Sequence, residues 1–173
     1  MPVITKTNAT AKVLSALRGL THKEALVGIP AENAGRDPEP GETTALNNAE
    51  IGYVHEFGST IETESGGEIV IPPRPHLRPG IASVKEKIAD TLGTGVRKTL
   101  AGDADAAEQS LEKAGMVGQN GVRKYITDGD FTPLAPATIA NRKRRGRTGT
   151  KPLIDTGTYR RSITYVVRKK GED

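Results

Sequence analysis

The sequence predicts an α+β fold: a small, mainly antiparallel sheet packed against long helices, with extended loops or arms. Three observations predict it. Between residues 79 and 101 apolar side chains recur every three or four positions (Ile81, Val84, Ile88, Leu92, Val96, Leu100), the period of an amphipathic helix. Three short aliphatic or β-branched runs, near 24–30, 68–71 and 162–168, read as strands that pair into one sheet. Between them Ile71-Pro72-Pro73-Arg74-Pro75-His76-Leu77-Arg78-Pro79-Gly80 carries four prolines in eight residues. Each proline lacks an N–H and fixes φ, and each pushes its predecessor towards extended geometry, so this stretch is a stiff arm.

The elements follow in order. Residues 8–20 read as a helix, with Asn8 or Thr10 as cap and a stripe of Val13, Leu14, Leu17 and Leu20. Strand 24–30 ends at Pro30. Residues 31–44 are rich in proline, glycine and acid, and read as a mobile loop: either an arm that embraces a neighbour or a disordered connection. Residues 45–57 read as a helix with Leu46, Ala49, Tyr53 and Phe57 near one face and Gly58 as its stop. Residues 60–67 are a polar loop or hairpin tip before strand 68–71. In the helix 79–101, Gly93 and Gly95 predict a kink or break. A second helix spans 103–127, with Asp103 as its cap and Gly115, Gly118 and Gly121 forming a ridge of small residues for another helix to approach. The two helices form an antiparallel pair or one bent rod. Residues 128–136 are a turn anchored by Phe131 and Leu134, 138–143 a short helix, 158–162 a helical turn and 163–167 the last strand.

Length places all 173 residues in one domain, 1–173. Aromatic residues make up 3% and tryptophan is absent, so the core is modest and suits a subunit that gains further burial from neighbours. Without cysteine, disulfides and thiolate metal sites are excluded. No apolar run is long enough to span a membrane, and the N-terminus lacks the apolar stretch of a secretory leader, so a soluble protein made in the cytoplasm is expected. Residues 1–130 hold 14 basic and 18 acidic side chains, whereas residues 131–173 hold 11 and 3. Such segregation suits docking between subunits or contact with a polyanion.

Motifs for catalysis are absent. His22, His55 and His76 are scattered, and His55-Glu56 lacks the second histidine of a zinc helix. There is no nucleophile elbow and no phosphate loop. Asp155-Thr156-Gly157 has the form of an aspartic-protease triplet, but that chemistry needs two such loops; Asp155 or Thr156 reads instead as the cap of the helical turn near Gly157. No enzymatic activity, cofactor or metal is expected. The basic loop 142–151 (Arg142, Lys143, Arg144, Arg145, Arg147 and Lys151) is the one segment with a candidate binding role. It can dock on an acidic neighbouring subunit, face phosphates of DNA or stand as a solvated loop; no aromatic is interleaved for base stacking.

Three motifs together resemble a known pattern. Ile51-Gly52-Tyr53-Val54-His55-Glu56-Phe57-Gly58-Ser59, then the arm 71–80, then Pro152-Leu153-Ile154-Asp155-Thr156-Gly157-Thr158-Tyr159-Arg160-Arg161-Ser162-Ile163, with Pro133, Leu134 and Thr138 between, resemble the neck or tail-component (virion-morphogenesis, tail-completion-like) families of tailed bacteriophages. The resemblance covers roughly residues 45–170. His76 stands where these families usually have phenylalanine, and Tyr159 where they usually have leucine.

The resemblance implies a structural virion protein at the head–tail junction. It would form a six- or twelve-fold homo-oligomeric ring around the DNA channel, beside other head–tail connector and tail proteins. It implies a place in the neck or tail of the virion after synthesis in a host bacterium. Ile71, Pro72, Pro73, Arg74, Pro75, His76, Leu77 and Arg78 are then expected at the subunit interface, and Arg74→Ala is expected to block assembly while leaving the monomer folded. A free duplex-DNA-binding protein that uses the basic C-terminal region is the rival reading.

Overall fold

The computed structural model describes residues 9–38, 46–63 and 66–171. Its elements are α1 (Ala9–His22), β1 (Lys23–Gly28), α2 (Ala31–Ala34), α3 (Asn48–Phe57), β2 (Ser59–Glu62), β3 (Glu68–Ile71), α4 (Leu77–Ala82), α5 (Lys85–Leu100), α6 (Ala106–Asp128), α7 (Pro136–Arg144), α8 (Thr158–Ser162) and β4 (Thr164–Lys169). The fold is α+β, as expected. Of the 31–44 loop, residues 31–34 form the single turn α2, and residues 39–44 lie outside the described residues, as does Asn8.

The strands form two separate pairs, β1 with β4 and β2 with β3. The expectation of one sheet therefore holds for 24–30 and 162–168 but not for 68–71. That strand pairs locally instead, in an antiparallel hairpin that sets Ser59 opposite Ile71, Thr60 opposite Val70, Ile61 opposite Ile69 and Glu62 opposite Glu68. The turn is short: Thr63 N–H donates to the Gly67 carbonyl at 2.7 Å, and Gly66 takes a φ of 80°. A short loop costs little closure entropy, which favours this pairing over a distant one.

The chain divides into two compact units. The first comprises residues 9–26, 84–118 and 165–171. In it α6 returns along α5 after the turn Ala101–Asp105. Ala106, Ala107, Leu111 and Ala114 are buried on α6, and Gly95 lies against Ser110. Lys23–Glu108 (2.5 Å) and Arg168–Glu24 (3.4 Å) add ion pairs. The ridge glycine Gly115 admits the ring of Tyr165 on β4 rather than a helix. Asp103 is not the cap residue itself, since α6 begins at Ala106; its carboxylate accepts the Asp105 N–H at 3.2 Å in the preceding turn.

The second unit comprises residues 27–38, 46–63, 66–83 and 119–164. Its core is Val122, Ile126, Leu153 and Ile163, with Val27, Ile29, Leu77, Ile81, Phe131, Ile154 and Tyr159 packed around them. Leu153 reaches that core from a left-handed backbone, φ 61°, which is strained for a branched residue. Pro152, next to Leu153, and Ser162, next to Ile163, are buried too.

The predicted helix 79–101 is two helices. The break falls at Ser83–Val84, where the Ser83 hydroxyl bonds back to the Gly80 carbonyl at 2.7 Å. It does not fall at Gly93 or Gly95, through which α5 runs unbroken. These two glycines differ in surroundings. A Cβ at Gly93 would meet only the far end of Arg97, at 3.5 Å, whereas one at Gly95 would lie 2.2 Å from Ser110 Cβ. Gly93→Ala should stabilise the protein by about 1 kcal/mol through helix propensity. Gly95→Ala should destabilise it by about 1–3 kcal/mol through overpacking, and urea unfolding of the two variants beside the parent checks the opposite signs.

Candidate functional site

Within the second unit the three motifs meet. α3 starts with a capping box, in which Asn47 Oδ1 accepts the Glu50 N–H at 3.0 Å and Glu50 Oε2 accepts the Asn47 N–H at 2.7 Å. The helix ends at Gly58, as expected; its φ of 78° turns the chain, and a Cβ there would stand 2.9 Å from the Ile71 carbonyl oxygen. The last turn of α3 thereby points Glu56 at the end of the proline arm. Glu56 Oε2 accepts the N–H groups of His76 (2.8 Å) and Leu77 (3.0 Å), and Oε1 accepts that of Arg78 (3.4 Å). These are amides at the start of α4, which have no partner within the helix. Burial works against the Glu56 charge, but the three amide bonds and His76 outweigh it and hold its pKa below the ordinary carboxylate value.

The arm is fastened at two more points. Arg74 N–H donates to the His55 carbonyl at 2.6 Å. The Arg74 guanidinium, 4% exposed, donates to the carbonyls of Thr132 (2.7 Å) and Pro133 (3.0 Å), the second of which belongs to the middle motif. Burial lowers the Arg74 pKa. His76 is 0% exposed. Its Nδ1 lies 2.9 Å from the Arg74 carbonyl, and its Nε2 bonds to the hydroxyl of Tyr159 in the C-terminal motif. Burial lowers the His76 pKa against the pull of the Arg74 carbonyl and of Glu56, so the ring is neutral; with its proton on Nδ1 it donates to Arg74 and accepts from Tyr159. The two residues that depart from the phage pattern thus bond to each other.

Arg74 and His76, expected at a subunit interface, are therefore occupied inside their own chain. Leu77 packs on the core, and Ile71 and Pro72 are half-buried. Pro73, Pro75 and Arg78 remain exposed, with Arg78 lying over the Phe57 ring at 5.9 Å. Arg74→Ala would remove carbonyl partners within the fold, so it does not isolate assembly from folding.

The basic loop is partly helix: Arg142, Lys143 and Arg144 form the last turn of α7. Arg142 is turned inward and donates to the carbonyls of Gly149, Lys151 and Ile154. Arg147 pairs with Asp155 at 2.6 Å, and Lys151 bonds to the Thr127 carbonyl. These bonds hold the loop to its own unit. Lys143, Arg144 and Arg145 are exposed. Asp155 is therefore an ion-pair partner, not a helix cap; α8 follows Gly157 in a left-handed conformation, and of the two expected caps it is the Thr156 hydroxyl that accepts the Thr158 N–H, at 3.4 Å.

A cavity of about 500 Å³ opens beside this loop, lined among others by Asn48, His55, Arg142, Leu153, Asp155 and Tyr159. The His55 Nδ1 is buried with no hydrogen-bond partner. Burial, then the charges of Arg74, of His76 once acid protonates it, and of Arg142, push the His55 pKa down to about 4. Among the described residues no group of three or more His, Cys, Asp or Glu side chains gathers to hold a metal.

Two surfaces have no counterpart among the sequence-level candidates. The first is α3, which is turned inside out. It buries Asn48, Gly52 and Glu56 and exposes Tyr53 (67%) and Phe57 (54%), whose ring centres lie 4.9 Å apart with the planes tilted by 49°. The polar face is inward because each residue has work there: Asn48 donates to the Gly35 carbonyl, Gly52 makes room for the Tyr159 hydroxyl and Glu56 holds the arm. Ile61, Ile69 and Val70 of the hairpin are exposed too. The second is a cleft of about 320 Å³ lined by Arg123, Lys124, Thr127, Asp128, Arg160 and Arg161. Two short dipeptides 37 residues apart form it, so no charge run marks it in the sequence.

Replacing His76 by Phe alone leaves the Tyr159 hydroxyl without its partner, and replacing Tyr159 by Leu alone strands the buried imidazole nitrogen. Each single variant should lose about 1–3 kcal/mol, and His76→Phe with Tyr159→Leu should lose less than the sum of the two; a double-mutant cycle by urea unfolding checks the coupling. Stability should also fall with acid. Above the ordinary histidine value of 6.5 both histidines are neutral folded and unfolded. Below it the unfolded chain binds protons that the folded chain refuses, so stability drops from about pH 6.5 until the folded His55 titrates near 4. Glu56, ionised more readily when folded, adds loss in the same direction below its ordinary 4.5. The His55 contribution is on the order of 2–3 kcal/mol, and His55→Leu should flatten that part of a stability–pH curve measured by urea unfolding.

Comparison with known protein families, curated proteins and solved structures finds no match, so function has to be argued from this geometry and from the motifs themselves.

Proposed function

We propose that this chain is a structural subunit of a tailed-bacteriophage particle, acting at the head–tail junction, and that it works by assembly rather than by catalysis. Copies associate head to tail into a ring that completes the neck or tail and surrounds the DNA channel, next to other connector and tail proteins. The observation that carries the reading is the inversion of α3, whose polar face holds the fold while its aromatic face is left outside. Contiguous exposed apolar surface of this kind marks interaction sites. The convergence of the motifs supports the phage reading: Glu56, Gly58, Arg74 and Pro133 carry the resemblance, and each either meets another motif or shapes the turn that lets them meet. Among the described residues no helix is long and apolar enough to cross a membrane.

The rival reading, a free duplex-DNA-binding protein, draws on exposed Lys143, Arg144 and Arg145 and on the cationic cleft. The test is to quantify the protein in purified phage particles from the cell that encodes it, and to measure duplex binding at two salt concentrations. The assembly reading expects a fixed small number of copies per particle and weak DNA binding by the free chain. Absence from particles, with duplex binding that falls steeply with salt, would transfer the function to the rival. Tyr53→Ser with Phe57→Ser should cut incorporation into particles severalfold while leaving the unfolding free energy in urea within about 0.5 kcal/mol of the parent, since exposed positions contribute little to the fold.

A further inference from the structure

We infer that the acidic face of the β2–β3 hairpin in one copy docks into the Arg123–Arg160–Arg161 cleft of a second copy. The inference rests on the assembly reading and names the two surfaces it would use. The hairpin register sets Glu62 directly opposite Glu68, and paired residues in a ladder share a face. Like charges so placed destabilise a ladder. Neither carboxylate belongs to any ion pair or hydrogen bond among the described residues, and both residues are exposed. The same face carries Val70, 66% exposed. A two-stranded hairpin is marginal by itself, and this one holds a repulsive pair with nothing set against it among the described residues.

The cleft has the opposite imbalance. Arg123 is held by carbonyls, those of Ile163 (2.7 and 3.0 Å) and Arg161 (3.0 Å). Arg160 donates to the Thr127 hydroxyl at 2.8 Å, and Arg161 donates to the Thr156 carbonyl and the Thr158 hydroxyl. None of the three arginines has a carboxylate partner among the described residues. The cleft's own carboxylate, Asp128, is paired with Lys124. Burial and the neighbouring Arg160 charge both depress the Arg123 pKa, the effect of cations crowded without an anion. Two carboxylates side by side match two adjacent guanidiniums, which bind carboxylate oxygens in a planar fork. Acidic and basic surfaces at different places on one chain make a heterologous contact, the kind that closes into a ring. Phosphates of DNA would meet the same cations, but they would leave the glutamate pair unexplained.

The test uses charge exchange in the full chain, read by sedimentation velocity. Glu62→Arg with Glu68→Arg, and separately Arg160→Glu with Arg161→Glu, should each weaken self-association at least tenfold. An equimolar mixture of the two variants should restore it, because each repels itself and attracts the other; this restoration also shows that both are folded. The chain has no cysteine of its own, so Glu68→Cys with Arg161→Cys should give covalent dimers and higher oligomers on mild oxidation. Variants that assemble like the parent, or a mixture that fails to recover, would overturn the inference while leaving the assembly reading standing. Loss of duplex-DNA binding by the arginine variant with self-association intact would overturn it in favour of nucleic acid. A parent chain that stays monomeric up to millimolar concentration and is absent from particles would remove the assembly reading and this contact with it.

Discussion

One carboxylate organises the second unit. Glu56 sits on the last turn of α3 and accepts the amides of His76, Leu77 and Arg78. Four prolines stiffen the arm but remove donors, so the amides that remain at the start of α4 must find acceptors elsewhere. A charged acceptor that takes three of them is stronger than three neutral bonds would be. Once the arm is anchored, Arg74 reaches the carbonyls of Thr132 and Pro133, and His76 reaches Tyr159. The motifs are far apart in sequence and are read most simply as parts of this one device.

The same device explains why α3 is inverted. A helix with Glu56 inward must put Asn48 and Gly52 inward as well, since they lie eight and four residues before it on the same stripe. Tyr53 and Phe57 are then carried outward. The exposed aromatic face is the geometric consequence of an internal polar anchor. Internal wiring and external display are two sides of one ten-residue helix.

Much of the fold was legible in the sequence because most helices announce themselves by period, cap and stop. Gly58 behaves as that signal says, and Ile88, Leu92 and Val96 of the α5 stripe are half-buried. Misreadings arose where a local signal had a tertiary rival. Gly93 and Gly95 suggest a break by propensity, but Gly95 serves close helix packing and the break falls at a serine. Strand 68–71 carries no mark of its partner, and turn chemistry at Thr63–Gly67 decides it. In the site, a hydrophobic pattern placed Tyr53 and Phe57 on a coherent face of α3 without revealing that this face looks outward. Arg74 and His76 read as reaching across to a neighbour because nothing in the local sequence shows carbonyl groups waiting 58 residues later or a tyrosine 83 residues later. The cleft of Arg123 and Arg161 is invisible for the same reason.

Those separations set an order of events in folding. The hairpin closes over a few residues, the Glu56–His76 bond spans 20, the Arg74–Thr132 bond 58 and the His76–Tyr159 bond 83. Closure entropy grows slowly with loop length, and rates fall as contacts become more distant in sequence. The arm therefore acquires its shape from nearby residues before the distant C-terminal motif arrives to seal it. On a ribosome, which releases the chain from its N-terminus, the anchor can form while Tyr159 is still unmade, and the final seal waits for that residue to emerge.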